Sequence, residues 1–341
     1  TVTGTDTAGN AFTATTTSTH TVDTSASATI TVDAITADDV VNATEDDGNI
    51  NVTGSVGGDA ATGDTVTFTI NSQPYSGTVD GSGNFSVVVA GSDLAADTSF
   101  DATVTGTDTA GNAFTATTTS EHTVDTSAPS APSVVSISTD TGSSSSDGVT
   151  SDDSLTFTGT AEANSTVTVF IDGSSIGTAT ADGSGNWTYD HTGTTLADAT
   201  YAVTATSTDT AGNASSASSA FNVTVDTTAP GAPTVVTQTT SDLTPTITGT
   251  ATVGSGETLT VVVSGATYTV TPSGTAWSLD LGTATPTSGS LTALANGNTY
   301  HVTATVTDTA GNATSDSTSS ELVIDTTDDS PTIIVDGDQT V

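Results

Sequence analysis

The chain has 341 residues and contains no Lys, no Arg and no Cys, against 39 Asp and Glu, so its formal charge is −39 at neutral pH. That composition excludes pairing with nucleic-acid phosphates, a P-loop lysine, lysine Schiff bases and Lys–Asn cross-links, and every disulfide, thiolate nucleophile or cysteine-held metal. Thr supplies 84 residues and aromatics only 4%.

Acidic, aromatic-poor chains are commonly disordered. Here two features oppose that. Val, Thr, Ile, Phe and Tyr alternate in short runs, which is a strand signal, and the acids recur at fixed positions. No stretch approaches the roughly 18 apolar residues of a membrane-spanning helix. The chain opens inside a motif, Thr-Val-Thr-Gly-Thr-Asp-Thr-Ala-Gly-Asn. No signal-peptide pattern precedes it, and the expectation is a window from something longer.

Asp-Thr-Ala-Gly-Asn occurs four times, starting at Asp6, Asp108, Asp209 and Asp308, with spacings of 102, 101 and 99 residues. A second marker, Val/Ile-Asp-Thr, places Asp23, Asp125, Asp226 and Asp325 each 17 residues further on. A constant offset inside a drifting period ties each pair of markers to one rigid unit. In chain order, residues 1–25 read as the C-terminal F–G part of a preceding repeat. They match 103–127 at 24 of 25 positions, Thr19 and Glu121 being the difference. Complete repeats follow at 26–127, 128–228 and 229–327, and residues 328–341 read as the start of another. About 100 residues suits one domain.

Within each repeat, Thr53-Gly54, Thr158-Gly159 and Thr248-Gly249 end an early strand. Phe85, Trp187 and Trp277 follow Gly-rich turns. Phe100, Tyr201 and Tyr300 each stand eight residues before a marker Asp. From them every second residue is apolar or small (Tyr201, Val203, Ala205), the pattern of a half-buried strand. Roughly seven strands per repeat, with turns every 8–12 residues, predict an all-β chain of tandem immunoglobulin-like β-sandwich domains arranged as an extended rod. Pro129, Pro132, Pro230 and Pro233 stiffen the crossings and keep those segments out of central strands.

The Asp-Thr-Ala-Gly-Asn hairpin, the Val-Asp-Thr-(Ser/Thr)-Ala-Pro linker and the Thr-Gly-Thr-Ala-Glu…Gly-Ser-Gly-Asn-Trp pattern resemble tandem bacterial Ig-like repeats from the extender regions of giant RTX-type biofilm adhesins. The resemblance covers essentially the whole chain. It implies a spacer that projects an adhesive domain from the cell surface, stiffened by Ca²⁺ at or near the domain junctions. The third repeat departs by an insertion: Trp277 and Tyr300 are 23 residues apart, against 15 and 14 for the equivalent pairs.

Immunoglobulin topology places the F–G and B–C loops beside the incoming linker. Each junction then gathers a linker Asp, the F–G Asp of the next domain and that domain's B–C acid. The sets are Asp23, Asp108 and Asp59 (with Asp64 beside it); Asp125, Asp209 and Glu162; and Asp226, Asp308 and Glu257. All are oxygen donors in an irregular set, which suits Ca²⁺ better than Mg²⁺ or Zn²⁺. The A–B loops lead to the outgoing end and carry Asp38, Asp39, Glu45, Asp46 and Asp47 in the first repeat, and Asp140, Asp147, Asp152 and Asp153 in the second. These acids form a second site or simply solvate the loop. The marker Asp residues also fit a plain role as turn formers, with Gly at positive φ and Asn tolerating it. With no basic residue present, clustered carboxylates must be solvated, protonated or metal-bound.

No enzyme is expected. His20, His122, His191 and His301 sit at strand-surface positions and form no site. No Gly-x-Ser-x-Gly elbow opens a helix, and every feature is replicated where a catalytic site is singular. The expected partners are neighbouring repeats of the same chain, with other copies of the chain as a further possibility, and neither nucleic acid nor a membrane. The resemblance implies an extracellular location, on a bacterial surface. Two other functions compete with the spacer: a filament or surface-layer subunit assembled by strand addition, and a glycan- or surface-binding module using the 282–292 insertion.

Overall fold

In a computed structural model of the chain, the structure describes residues 1–328; the expected start of a further repeat at 328–341 therefore lies outside the described residues, apart from Asp328. Internal contacts divide the chain into two units. Unit one is Thr1–Pro129 with Thr208–Ala214, and unit two is Ser130–Ser207 with the residues from Ser215 onward.

Unit one opens with a hairpin, β1 (Val2–Thr5) and β2 (Ala11–Ala14). The sandwich of the first repeat follows: β3 (Ala28–Val32), β4 (Val40–Val41), α1 (Ala43–Asp46), β5 (Asn49–Gly58), β6 (Thr65–Ile70), β7 (Gln73–Thr78), β8 (Asn84–Ala90), α2 (Gly91–Ala96), β9 (Ser99–Thr107), β10 (Ala113–Glu121) and β11 (Thr123–Val124). One sheet runs β3-β5-β8 and the other β10-β9-β6-β7, with β4 paired parallel to β11. In β6 the Thr residues face out, while Val66, Phe68 and Ile70 enter the core. The pleat's two-residue period makes that separation.

Unit two holds two sandwiches. The first contains β12 (Ser133–Ile137), β13 (Val149–Thr150), β14 (Thr156–Thr160), β15 (Thr166–Ile171), β16 (Ser174–Thr180), β17 (Asn186–Asp190), β18 (Ala199–Thr208) and β19 (Phe221–Val225). Its sheets run β12-β14-β17 and β13-β19-β18-β15-β16. The second contains β20 (Thr234–Val235), β21 (Gln238–Thr240), β22 (Thr246–Thr250), β23 (Thr258–Val263), β24 (Ala266–Val270), β25 (Ala276–Asp280), β26 (Ser288–Gly289), β27 (Thr299–Tyr300), β28 (Val302–Thr307), β29 (Ala313–Ser315) and β30 (Leu322–Ile324). Its sheets run β20-β22-β25, β21-β30-β27 and β26-β24-β23-β28-β29. The insertion supplies β26, a short edge strand paired with β24.

Each sandwich has its own hydrophobic core. The Thr-Gly motif exists to build it. Gly54, Gly159 and Gly249 lie opposite Phe85, Trp187 and Trp277 in the antiparallel register. A Cβ at Gly159 would stand 1.9 Å from the Ser133 carbonyl and 2.5 Å from the Trp187 ring. Only glycine lets the first strand and the aromatic ring close over that point. Two tyrosines mark the start of the F strand: Tyr201 Oη donates to the Ala197 carbonyl at 2.8 Å, and Tyr300 Oη accepts from Ala295 N–H at 2.8 Å. This is the corner contact typical of immunoglobulin-like sandwiches. The A–B stretch contains one feature the sequence does not announce. A short strand (β4, β13 or β21) crosses to the second sheet and pairs parallel with the end of strand G, which is β10 and β11 in the first repeat, β19 in the second, and β29 and β30 in the third; strand F before it is β9, β18 or β27 and β28.

One histidine corrects the sequence expectation. His122 is buried, and its Nε2 meets the Leu94 carbonyl at 2.9 Å. It occupies the place taken by Val223 and Leu322 in the later repeats, both fully buried. His301 faces outward as expected, at 53% exposure.

Candidate metal centre at the repeat junctions

The Asp-Thr-Ala-Gly-Asn turn is built by its own carboxylate. Asp108 Oδ1 accepts the N–H groups of Ala110 (2.9 Å) and Asn112 (2.8 Å), and Oδ2 accepts Asn112 Nδ2 (2.7 Å). Only the glycine takes the left-handed conformation, φ 93° at Gly111, so the Asn is not there to tolerate positive φ. Asp6 repeats the arrangement in full, and Asp209 and Asp308 keep both Asn contacts. The Asn112 amide and then the turn N–H groups hold the Asp108 carboxyl below the usual aspartate range. The same turn recurs at Asp80 and Asp182, whose Oδ1 atoms accept from Ser82 and Asn84 and from Ser184 and Asn186.

What separates the marker turns from those two copies is the second job of the Asn. Asn112 Nδ2 donates to the Asp23 carbonyl at 3.2 Å, Asn213 to Asp125 at 2.8 Å and Asn312 to Asp226 at 2.7 Å. Three times, the F–G turn of one repeat holds the main chain of the linker leading into it. Asn213 also accepts Ala43 N–H at 2.8 Å, so it ties the first turn of α1 to the same point within unit one. Sequence reasoning saw these asparagines as turn residues and missed the tie.

The linker carboxylates turn back on their own chain. Asp23, Asp125 and Asp226 accept the N–H two residues on, at 3.2, 3.0 and 3.1 Å. In the first set, Asp59 Oδ2 accepts Ser27 N–H at 2.8 Å, and Asn112, bonded to Asp108, holds the Asp23 carbonyl, so the three residues are joined through the linker backbone at 23–27. Asp64 caps Ala61 inside the B–C loop. In the third set, Asp226 and Asp308 meet through Asn312, Glu257 Oε2 accepts Gly254 N–H at 2.7 Å, and Gly256 lines a groove with Asp308. In the second set, Asp125 and Asp209 meet in unit one, while Glu162 belongs to unit two and offers its carbonyl to Ser165.

The A–B acids reach the outgoing junctions. In unit two, Thr141 Oγ1 donates to the Ala310 carbonyl at 2.5 Å, and a Cβ at Gly142 would stand 2.0 Å from the Thr309 carbonyl. Beside them, Asp140 Oδ2 accepts Gly148 N–H at 3.0 Å, and its Oδ1 is buried with no hydrogen-bond partner among the described residues. Asp147 and Asp152 cap Val149 and Ser154. Asp153 contributes its carbonyl to Leu196 N–H. In unit one, Asp38 caps Val40, Asp39 caps Ile35, and Glu45 closes a capping box on Asn42 beside the Asn213 tie. Among the described residues no three His, Asp or Glu side chains converge to hold a metal ion. Carboxylates and carbonyls nevertheless concentrate at the junctions, and all are hard oxygen donors of the kind calcium takes.

A bacterial Ig-like domain model matches residues 128–227. A Ca²⁺-stabilised adhesin with which an Antarctic bacterium reaches out and binds ice is 37% identical over 94% of this chain and 80% of that one, with a TM-score of 0.45. The chain belongs to the bacterial Ig-like repeats of large adhesins. A bacterial immunoglobulin-like domain from the M. primoryensis ice-binding adhesin is 56% identical over 30% of this chain and all of that one (TM-score 0.28). A third structure, from a 1.5-MDa bacterial ice-binding adhesin, is 30% identical over 88% and 98% of the two chains (TM-score 0.42). The shared sequence, not the superposition, decides the family. No curated protein matches. The Ig-like repeats of such adhesins are non-catalytic, and among the described residues no helix is long and apolar enough to cross a membrane.

Proposed function

We propose that these Ig-like repeats are an extender: a rod-like, non-enzymatic spacer on a bacterial surface, stiffened by Ca²⁺ at the repeat junctions and serving adhesion. The observation that carries the reading is the thrice-repeated tie between an F–G asparagine and the linker carbonyl. A chain that invests the same contact at each junction is built to fix the angle between successive repeats.

The tie leaves the carboxylates beside it without cationic partners. Ca²⁺ would supply the missing positive charge and draw in ligands from both sides of a junction. Asp140 is the favoured ligand of the outgoing junction of the second repeat, because its buried Oδ1 lacks a partner among the described residues. Asp23, Asp59 and Asp108, and Asp226, Glu257 and Asp308, are the favoured sets at the incoming ones. The linker is also held from behind: Asp198 accepts the N–H and hydroxyl of Thr227 at 2.9 and 2.8 Å and the Thr228 hydroxyl at 2.6 Å.

Small-angle scattering and thermal melting of the whole chain, with about 5 mM Ca²⁺ and then with excess EGTA, test the reading. A longer, stiffer particle and a higher Tm in Ca²⁺ support it. Identical scattering and melting in both conditions would sink it.

A further inference from the structure

We propose that the parallel ladder between strand G and the short A–B strand is a load-bearing clamp in each repeat, and that it holds under tension without calcium. The inference rests on the extender reading, in which the linkers transmit pull along the chain. Tension drags the start of a repeat toward its N-terminal side and the end of strand G toward its C-terminal side. The ladder joins these two loaded segments directly: β4 with β11, β13 with β19 and β21 with β30, all parallel. Parallel partners pulled from opposite ends slide in shear, so their hydrogen bonds stretch together instead of breaking one by one. Strands B to F lie between the two clamped segments in sequence, and no pull reaches them until the ladder parts.

The marker Asp is the last link of each clamp. Asp125 N–H donates to the Val41 carbonyl at 3.0 Å, Asp226 N–H to Thr150 at 2.9 Å and Asp325 N–H to Thr240 at 2.9 Å. At the other end, Thr123 N–H donates to the Asp39 carbonyl at 3.1 Å and Thr224 N–H to Gly148 at 2.7 Å, while in the third repeat Gln238 N–H donates to Glu321 at 2.7 Å. All of these are main-chain bonds, so no carboxylate takes part in them and removing calcium leaves them in place. Val41, Val225, Leu322 and Ile324 are buried beside them, which keeps water from replacing a stretched bond. The same Asp125 and Asp226 offer their carbonyls to Asn213 and Asn312. A pull passing through those F–G turns is therefore delivered at the end of the clamp. The ladder has two rungs in the first and second repeats and three in the third, so the third repeat should resist most.

Single-molecule pulling of the whole chain by cysteines added at its two ends, in excess EGTA, tests the proposal; the chain has no other Cys to interfere. The expected record is one unfolding event per sandwich, the last at the highest force. Thr224→Pro removes one of the two strand-G donors named for the second repeat, so a single event should fall to roughly half its force while the others stay. Circular dichroism checks that this variant is folded. A second measurement keeps the natural ladder and changes only the direction of pull. Handles at Asp153→Cys and Thr228→Cys lie beyond the C-terminal ends of β13 and β19, and there they peel the ladder from one end. The second repeat should then yield at a severalfold lower force than with end handles. Equal forces in the two geometries, no event shifted in a folded Thr224→Pro variant, or loss of the high-force events in EGTA would each overturn the clamp. Scattering that ignores calcium would sink the extender reading and leave these events unchanged, so the two failures are told apart.

Discussion

At the scale of single residues, the repeat is specified by a few side chains with two duties. Asn213 is the clearest. It is 4% exposed, and it holds the Asp125 carbonyl, Asp209 Oδ2 and Ala43 N–H. Asn213→Ala leaves those groups without partners, at a cost of about 1–3 kcal/mol. A drop of roughly 4–12 °C in the first calorimetric transition is expected. Asn112→Ala, at a more open tie with a longer 3.2 Å bond, should cost less than half as much; equal losses would mean that the linker bond is not what Asn213 contributes. Gly159→Ala should also be severe, since its Cβ would press on the Ser133 carbonyl and the Trp187 ring. Overpacking of that kind costs about 1–3 kcal/mol and should show as an altered Trp emission as well as a lower Tm. The aromatic and glycine markers were legible because they recur at fixed spacing, and the F–G placement beside the linker followed from topology alone. The asparagine tie was not legible. Asn84 and Asn186 follow the same pentapeptide pattern without touching a linker, so only the three-dimensional neighbourhood separates the two uses. His122 was misplaced for a related reason: its identical copy His20 is exposed, and parity along a short strand does not reveal what the sandwich covers.

At the scale of elements, strand G shows how one fold tolerates different chemistry. In the first repeat β9 and β10 pair without interruption from Ser99–Glu121 to Thr107–Ala113. In the later repeats strand G leaves the ladder, and side chains serve the stranded N–H groups of strand F. Ser218 and Ser215 do so for Ala205 and Ser207. In the third repeat two carboxylates take over: Asp316 Oδ1 accepts Ala304 N–H, and Glu321 Oε2 accepts Val302 N–H, both at 2.9 Å. Burial pushes the Glu321 pKa up, but bonds from Val302 N–H, its own N–H, Thr318 and His301 outweigh it and hold it below the usual glutamate value. A depressed folded-state pKa contributes stability that is present above the unfolded value and lost as pH falls through the folded one. The third sandwich should therefore weaken below roughly pH 4, and the second, with its serine seam, should not weaken by this route. Glu321→Gln should flatten the pH dependence of the last transition between pH 7 and pH 3. An unchanged slope would locate the acid sensitivity elsewhere. None of this was legible in the sequence, because Ser215, Ser218, Asp316 and Glu321 sit in a run of small polar residues with no periodic signal.

At the scale of the whole molecule, the governing fact is a charge of −39 with no basic residue to offset it. Any electrolyte should stabilise the chain by screening, with a Debye length near 10 Å at about 0.1 M salt, so a rise in Tm with calcium alone does not prove specific sites. Screening acts through ionic strength, whereas site binding acts through RT ln(1 + [L]/Kd) and saturates. Comparing about 5 mM CaCl₂ with NaCl at equal ionic strength separates the two. Specific junction sites predict a calcium rise several times the sodium one, complete within a few millimolar. Asp140→Asn should remove part of the calcium increment and leave the sodium increment unchanged, since it deletes one charge in 39 but a carboxylate whose Oδ1 is buried and unpartnered among the described residues. Equal shifts with the two salts, or a calcium increment untouched by Asp140→Asn, would mean that the carboxylates are solvated. The thrice-repeated asparagine tie would then be what fixes the junctions.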